Sequence, residues 1–302
     1  MQIRLLLWGI GQVYNSVINL LKCYENLGQI EIVGITAQEL PDFRTLDGYT
    51  LVRKEEIQSL DFDYLLVMSD NFYDEIVSSA VSVADVPRSK IVSYRILKIP
   101  GFDFPKYDLV KNQRGGGVSI VSNNCWGGII YNTLNMECLS PFKNVSIASD
   151  DYIKIISNLK HYLSVDPIWT GKTQIDANQN RAVPMLELDD VLIKCNHDLD
   201  AGLAIQKWKR RRDKFNWNHM LVEMYTDDPA VERAFGKASE QYDKRICFVP
   251  YISHESYTVT LPEMYGQTKF YETVNDNAGI GKNAIAYDIL EMLCGCVRYR
   301  YT

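Results

Sequence analysis

The stretch Val118-Ser119-Ile120-Val121-Ser122-Asn123-Asn124-Cys125-Trp126-Gly127-Gly128 decides how the chain is read. Val118–Val121 reads as a strand, Gly127–Leu134 as a short helix, and Ser122–Gly128 as the turn joining them. In open α/β sheets, ligands bind outside the carboxyl ends of the strands. Free N–H groups at the start of the following helix attract an anion, and small polar side chains add donors. Ser122, Asn123, Asn124, Trp126, Gly127 and Gly128 are therefore candidate binding residues for a phosphate or diphosphate, such as that of a nucleotide sugar.

Strand–helix alternation continues downstream. Asp150–Leu163 is an amphipathic helix in which Tyr152, Ile155, Ile156, Leu159 and Leu163 share a face. Val191–Cys195, Met220–Tyr225 and Ile246–Pro250 read as strands. Ala201–Lys214 and Pro229–Tyr242 read as helices, and Ala284–Cys294 as a helix in a tyrosine-rich tail. Upstream, Ile3–Trp8, Ile30–Ile35, Tyr64–Met68 and Ile91–Tyr94 read as strands. A helix after Gly11 carries Val13, Val17, Leu20 and Leu21, and Asp74–Ala84 reads as another helix. Pro100, Gly101, Pro105 and Arg114-Gly115-Gly116-Gly117 mark a linker between roughly 100 and 117. The expected fold is α/β with two domains: an N-terminal Rossmann-like parallel sheet over residues 1–105, and a second α/β domain with a mostly parallel sheet over 115–302.

The front turn, Gly9-Ile10-Gly11-Gln12-Val13-Tyr14, stands where a dinucleotide fingerprint would. Tyr14 replaces the third glycine, and the second strand ends Gly34-Ile35-Thr36-Ala37 with no acid for a ribose hydroxyl. These departures argue against NAD. Gly9, Gly11 and Gln12 are the contacts expected if a nucleotide does bind there, and the sequence specifies no resident cofactor. The turn resembles the nucleotide-binding-like domains of several sugar-modifying proteins, where WGxGQ-type turns occur.

A formal net charge of −6 argues against broad attraction to nucleic acid. No apolar stretch reaches the ~20 residues of a membrane span. The opening MQIRLLLWGIG reads as a buried strand, not a leader. Seven cysteines at irregular spacing suit reduced thiols in a cytoplasmic protein, and Cys294-Gly295-Cys296 lacks a second pair for zinc. No metal site is expected, and oligomerisation is left open.

Cys125-Trp126 resembles the Cys-Trp of papain-like proteases, which makes Cys125 a candidate nucleophile beside the alternative of a packed core thiol. Asp150 and Asp151 could hold a metal–diphosphate, but they also stand in a first helical turn, where carboxylates are favoured anyway. His161 falls on a polar helix face. His197 follows a strand directly and is the preferred acid/base. In the basic run Lys207–Lys214, Arg211 or Arg212 could clamp a phosphate, the alternative being a solvated face.

SNNCWGGIIYNTL, SPFKNVSIASDDYIKIISNLKHYL, AIQKWKRRRDKFNWNHMLVEM and KRICFVPY together resemble a family of bacterial proteins associated with exopolysaccharide biosynthesis, over about 115–250. The resemblance implies a pathway and not a set of catalytic roles. The expected function is transfer from a nucleotide sugar or phosphorylated glycan precursor in surface-polysaccharide assembly. The alternatives are a non-catalytic protein that binds a ligand or docks a partner, and a Cys125-based hydrolase.

Overall fold

The computed structural model describes residues 2–99, 101–112, 117–176, 180–262 and 288–294. The chain divides into two compact units: 1–111 with 134–136, and 112–133 with 137–302. Both are α/β.

In the first unit, β1 (Ile3–Trp8), β2 (Ile30–Thr36), β5 (Tyr64–Val67) and β6 (Ile91–Ser93) form a parallel sheet in the order β2-β1-β5-β6. Leu5 to Trp8 are fully buried, as a strand covered on both faces requires. A small hairpin, β3 (Thr45–Leu46) with β4 (Tyr49–Thr50), lies between β2 and β5 in sequence. Helix α1 (Gln12–Asn26) buries Tyr14, Ile18 and Leu21. The expected stripe was offset: Leu20 is exposed and Val13 and Val17 only half-buried. Tyr14 sets the phase, since its hydroxyl reaches Asp47 Oδ2 at 2.7 Å and its ring starts an i, i+4, i+7 face. Helix α2 (Tyr73–Ser82) covers the sheet through Ile76, Val77 and Ala80. Helix α3 (Phe104–Lys111) falls where linker was expected; it belongs to the first unit and buries Phe104, Tyr107 and Val110. Most of the Arg114–Gly117 stretch lies outside the described residues.

The second unit holds two sheets. Strands β7 (Ser119–Ser122), β12 (Met220–Tyr225), β13 (Arg245–Val249) and β14 (Thr258–Thr260) run parallel in the order β14-β13-β12-β7. A second sheet, β8 (Val145–Ser146), β9 (Ile168–Asp176), β10 (Arg181–Leu188) and β11 (Val191–Cys195), is antiparallel in the order β8-β11-β10-β9. Val191–Cys195 therefore does not join the parallel sheet. Asp189-Asp190 closes a two-residue hairpin with Leu188 opposite Val191, and Asp189 takes φ +57°. Acidic residues are among those that tolerate that conformation in hairpin turns.

Helices α5 (Ser149–Ser157) and α6 (Leu159–Ser164) bury the five residues expected to share a face, and Asn158 breaks the helix between them. Helix α7 (Ala201–Arg212) is capped by the Asp200 carboxylate, which accepts from Leu203 N at 2.7 Å. Helix α8 (Pro229–Ala238) follows β12. Ile289–Cys294, the described part of the expected C-terminal helix, is helical and buries Ile289, Leu290, Met292 and Leu293. Residues 284–287 lie outside the described ones.

Candidate functional site

In the second unit, β7 ends at Ser122 and helix α4 (Trp126–Thr133) starts four residues later. Strand β12 places Glu223 directly opposite Ser122. That carboxylate is fully buried. It accepts from the Ser122 hydroxyl and, through Oε1, from Asn124 Nδ2 at 3.1 Å. Burial pushes its pKa up to about 7, against those two bonds, which favour the charged form. Asn124 Nδ2 also reaches Asn123 Oδ1 at 2.8 Å, and that oxygen accepts from Tyr225 N at 3.3 Å. The Asn123 carbonyl receives Ile147 N at 3.0 Å. Both asparagines are thus consumed in shaping the turn.

The start of α4 is partly closed by its own residues. Asn124 Oδ1 accepts from Trp126 N at 2.8 Å, satisfying one of the free amides. Trp126 is fully buried and packs on Phe248 with ring centroids 5.5 Å apart. A Cβ on Gly127 would stand 2.9 Å from Ile120 Cγ2, and one on Gly128 would stand 1.9 Å from Asn144 Oδ1. Close packing explains both glycines.

Cys125 is buried, and Asn196 Nδ2 approaches its Sγ at 3.3 Å. Burial pushes its pKa up and outweighs the Asn196 contact, so the thiol form is favoured. Asn196 brings the end of β11 to this turn, and His197 follows it. Desolvation, then the Arg181 guanidinium, hold the His197 pKa below its ordinary value. Arg181 reaches the Asn196 carbonyl at 3.5 Å. Arg181 Nε and Asn196 Oδ1 are buried without a hydrogen-bond partner among the described residues.

The other expected residues stand apart from this group. Asp150 is exposed in the first turn of α5, while Asp151 accepts from Leu192 N at 3.1 Å. His161 meets Asp189 at 2.7 Å. Arg212 pairs with Asp166 at 2.7 Å, and Lys209 binds the same carboxylate. Arg211 reaches the Lys143 carbonyl at 3.5 Å, one residue from Asn144. Among the described residues no group of three or more His, Cys, Asp or Glu could hold a metal.

The first unit holds a cleft of about 600 Å³ at the carboxyl ends of β1, β2 and β5. Gly9, Gly11, Gln12 and Val13 line it after β1, Gln38 and Glu39 after β2, and Ser69, Asp70, Asn71 and Phe72 after β5. The chain leaves β1 toward β2 and returns to β5 on the other side, so the cleft sits at a topological switch point. Gly9 takes φ +120°, and a Cβ there would stand 3.2 Å from the Met68 carbonyl oxygen. Helix α1 has Gly11 at its N-cap, no side-chain cap among the described residues and no acid in its first turn. Asp70 is already engaged by Tyr94 and Arg95. Glu39 has no such partner among the described residues and is exposed.

Residues 99–288 match the sequence profile of a family described as a domain of unknown function, DUF1919. The chain belongs to the DUF1919 family. Residues 1–92 match a second profile, C2185-like, N-terminal. The chain is also similar to an uncharacterized protein of Haemophilus influenzae, 25% identical over 117 residues, which are 39% of this chain and 53% of that protein. The chain thus spans about half the length of that relative.

Three residues of interest escaped the sequence reading. Glu223, in the DUF1919 region, looked like an ordinary polar position of a strand; a lone carboxylate in Met220-Leu221-Val222-Glu223-Met224-Tyr225 was the available signal. Arg181, in the same region, lay in a segment not read as strand. Glu39 lies three residues past the end of β2, where no fixed spacing points to it.

Proposed function

We propose that this chain binds a nucleotide sugar or a phosphorylated glycan precursor and transfers its sugar in the assembly of a surface polysaccharide. The observation that carries the reading is the cleft of the first unit, where the uncapped start of a 15-residue helix meets a switch-point crevice of about 600 Å³. The free amides at Gln12 and Val13 attract a diphosphate, Glu39 accepts from ribose hydroxyls, and exposed Phe72 offers a face to a base. The resemblance of 115–250 to exopolysaccharide-associated proteins supplies the pathway.

The polar group at the end of β7 in the second unit is a separate candidate, suited by itself to a phosphorylated glycan precursor. His197, whose pKa is lowered by burial and by Arg181, is the acid/base candidate of that group. Arg181 is the nearby cation for that precursor's phosphate, a better-placed one than Arg212, which Asp166 occupies. Asp150 and Arg211 serve at most as outlying contacts. Cys125 holds Asn196 as a neutral thiol, which argues against the hydrolase reading.

One observation favours a non-catalytic binding protein instead: the asparagine side chains of the Ser122–Gly128 turn are spent on internal bonds. Calorimetry with UDP- and GDP-sugars, with and without manganese, followed by mass spectrometry of products, separates the two. Binding with sugar release or transfer supports the enzyme. Binding without product supports the binding protein. No binding across the set removes both.

A further inference from the structure

Far along the chain from the turn at Ser122, the second unit carries a groove whose lining matches none of the chemistry above. It lies where β12 and β13 begin, bordered by the α5–α6 junction, and has a volume of about 520 Å³. A neighbouring groove of about 590 Å³ shares Trp217 and Asn218 with it. The two meet at these residues and form one trough, with the tryptophan at the join.

Trp217 is 43% exposed, leaving much of its indole open to the groove. Phe215 braces it edge-on, with ring centroids 4.7 Å apart and planes at 61°. Around it stand polar side chains that the fold leaves unused: Asn158, Lys160, Asn218 and Asp243 have exposed side chains with no hydrogen-bond or ion-pair partner among the described residues. The neighbouring Gln241 and Tyr242 do have partners, both donating to the Ile156 carbonyl, which fixes the floor of the groove.

We propose that this trough binds an oligosaccharide across the Trp217 indole. A pyranose presents an apolar C–H face and a rim of hydroxyls. An aromatic plane takes the first, while amide, carboxylate and ammonium groups take the second, because each hydroxyl both donates and accepts. The lining excludes other occupants. Asp243, Asp213 and Glu137 are balanced by Lys160, Lys244 and Lys214, so the lining has no net positive charge to draw a nucleic-acid strand. The ring of unspent polar groups would be left unpaired under an apolar peptide helix. The proposal does not depend on nucleotide-sugar binding in the first unit.

The test is isothermal calorimetry of the full chain against cello-, chito- and malto-hexasaccharides, with a random decapeptide pool and dT10 as competing classes. At least one hexasaccharide is expected to bind. Trp217→Ala should weaken it about tenfold or more, and Trp217→Phe by less. Both variants should stay folded, with Trp217→Phe keeping the wild-type melting temperature more closely because it preserves the contact with Phe215. Failure of all three sugars, an unchanged affinity in Trp217→Ala, or binding of only the peptide pool or dT10 overturns the proposal. UDP-sugar titration of the same Trp217→Ala variant reports separately on the first unit and should match wild type.

Discussion

The two strand–turn–helix junctions, Gly9–Gln12 in the first unit and Ser122–Gly128 in the second, look alike in sequence and differ in what fills them. Each ends a parallel strand, holds two glycines and opens a helix. At the first, no side chain among the described residues caps α1, and the sheet order β2-β1-β5-β6 reverses direction beside it, leaving a cleft. At the second, Asn124 caps α4, Asn144 and Ile120 press on the glycines, and the order β14-β13-β12-β7 runs one way with no switch point. A glycine-bearing turn is therefore a ligand site only where topology leaves a crevice and no side chain takes the amides first.

The contrast can be broken by substitution. The largest effect is expected at Trp126→Ala, which empties a fully buried indole site and should cost about 3–5 kcal/mol. Gln12→Ala, at the equivalent first helical position, should stay within about 0.5 kcal/mol. Urea melts of the two variants measure the difference, and comparable losses would erase the distinction between a packed and an open helix start.

Next comes Glu223→Gln. In the fold this carboxyl titrates at about 7 instead of its usual 4.5. Between those values the folded chain holds more protons than the unfolded one, so wild-type stability falls as pH rises through that window and the loss is complete above it. Glutamine has no such slope. The variant should therefore gain on wild type by up to about 3 kcal/mol from pH 4.5 to pH 8, at 1.36 kcal/mol per pKa unit. A pH-independent gap between the two melts would mean that Glu223 does not carry the buried charge of this turn.

The smallest effect sharpens the first junction. Gly11→Asp supplies the missing N-cap at a position where an added Cβ meets nothing within 4 Å. Stability should change by only a few tenths of a kcal/mol. Nucleotide-sugar affinity should fall about tenfold, because the new carboxylate takes the amides and repels the diphosphate. Unchanged affinity in calorimetry would move the diphosphate elsewhere.

Much of the architecture was legible because it is written in local periodicity. The apolar run Leu5–Trp8 and the face Tyr152–Ile155–Ile156–Leu159–Leu163 each declare burial from spacing alone. The antiparallel sheet was not legible. Strand β9 is almost wholly exposed, with Trp169 and Ile175 facing solvent, so it carries no apolar signal, and the acidic hairpin turn reads as a charged loop. The site was half legible for a related reason. Cys125 and the residue before His197 do meet, yet what joins them to Glu223 and Arg181 is pairing between strands distant in the chain, which no motif encodes.

That pairing has a consequence for how the protein is made. Ser122 waits for a partner 101 residues downstream. At ribosomal speeds of about 5–20 residues per second, β7 emerges some 5–20 s before β12 exists. In that interval the sequence between them can close its own antiparallel hairpins, whose contacts are local and quick to form. The central sheet of the second unit is thus assembled around a piece already folded, and its first strand spends the longest time exposed to a chaperone or to another nascent chain.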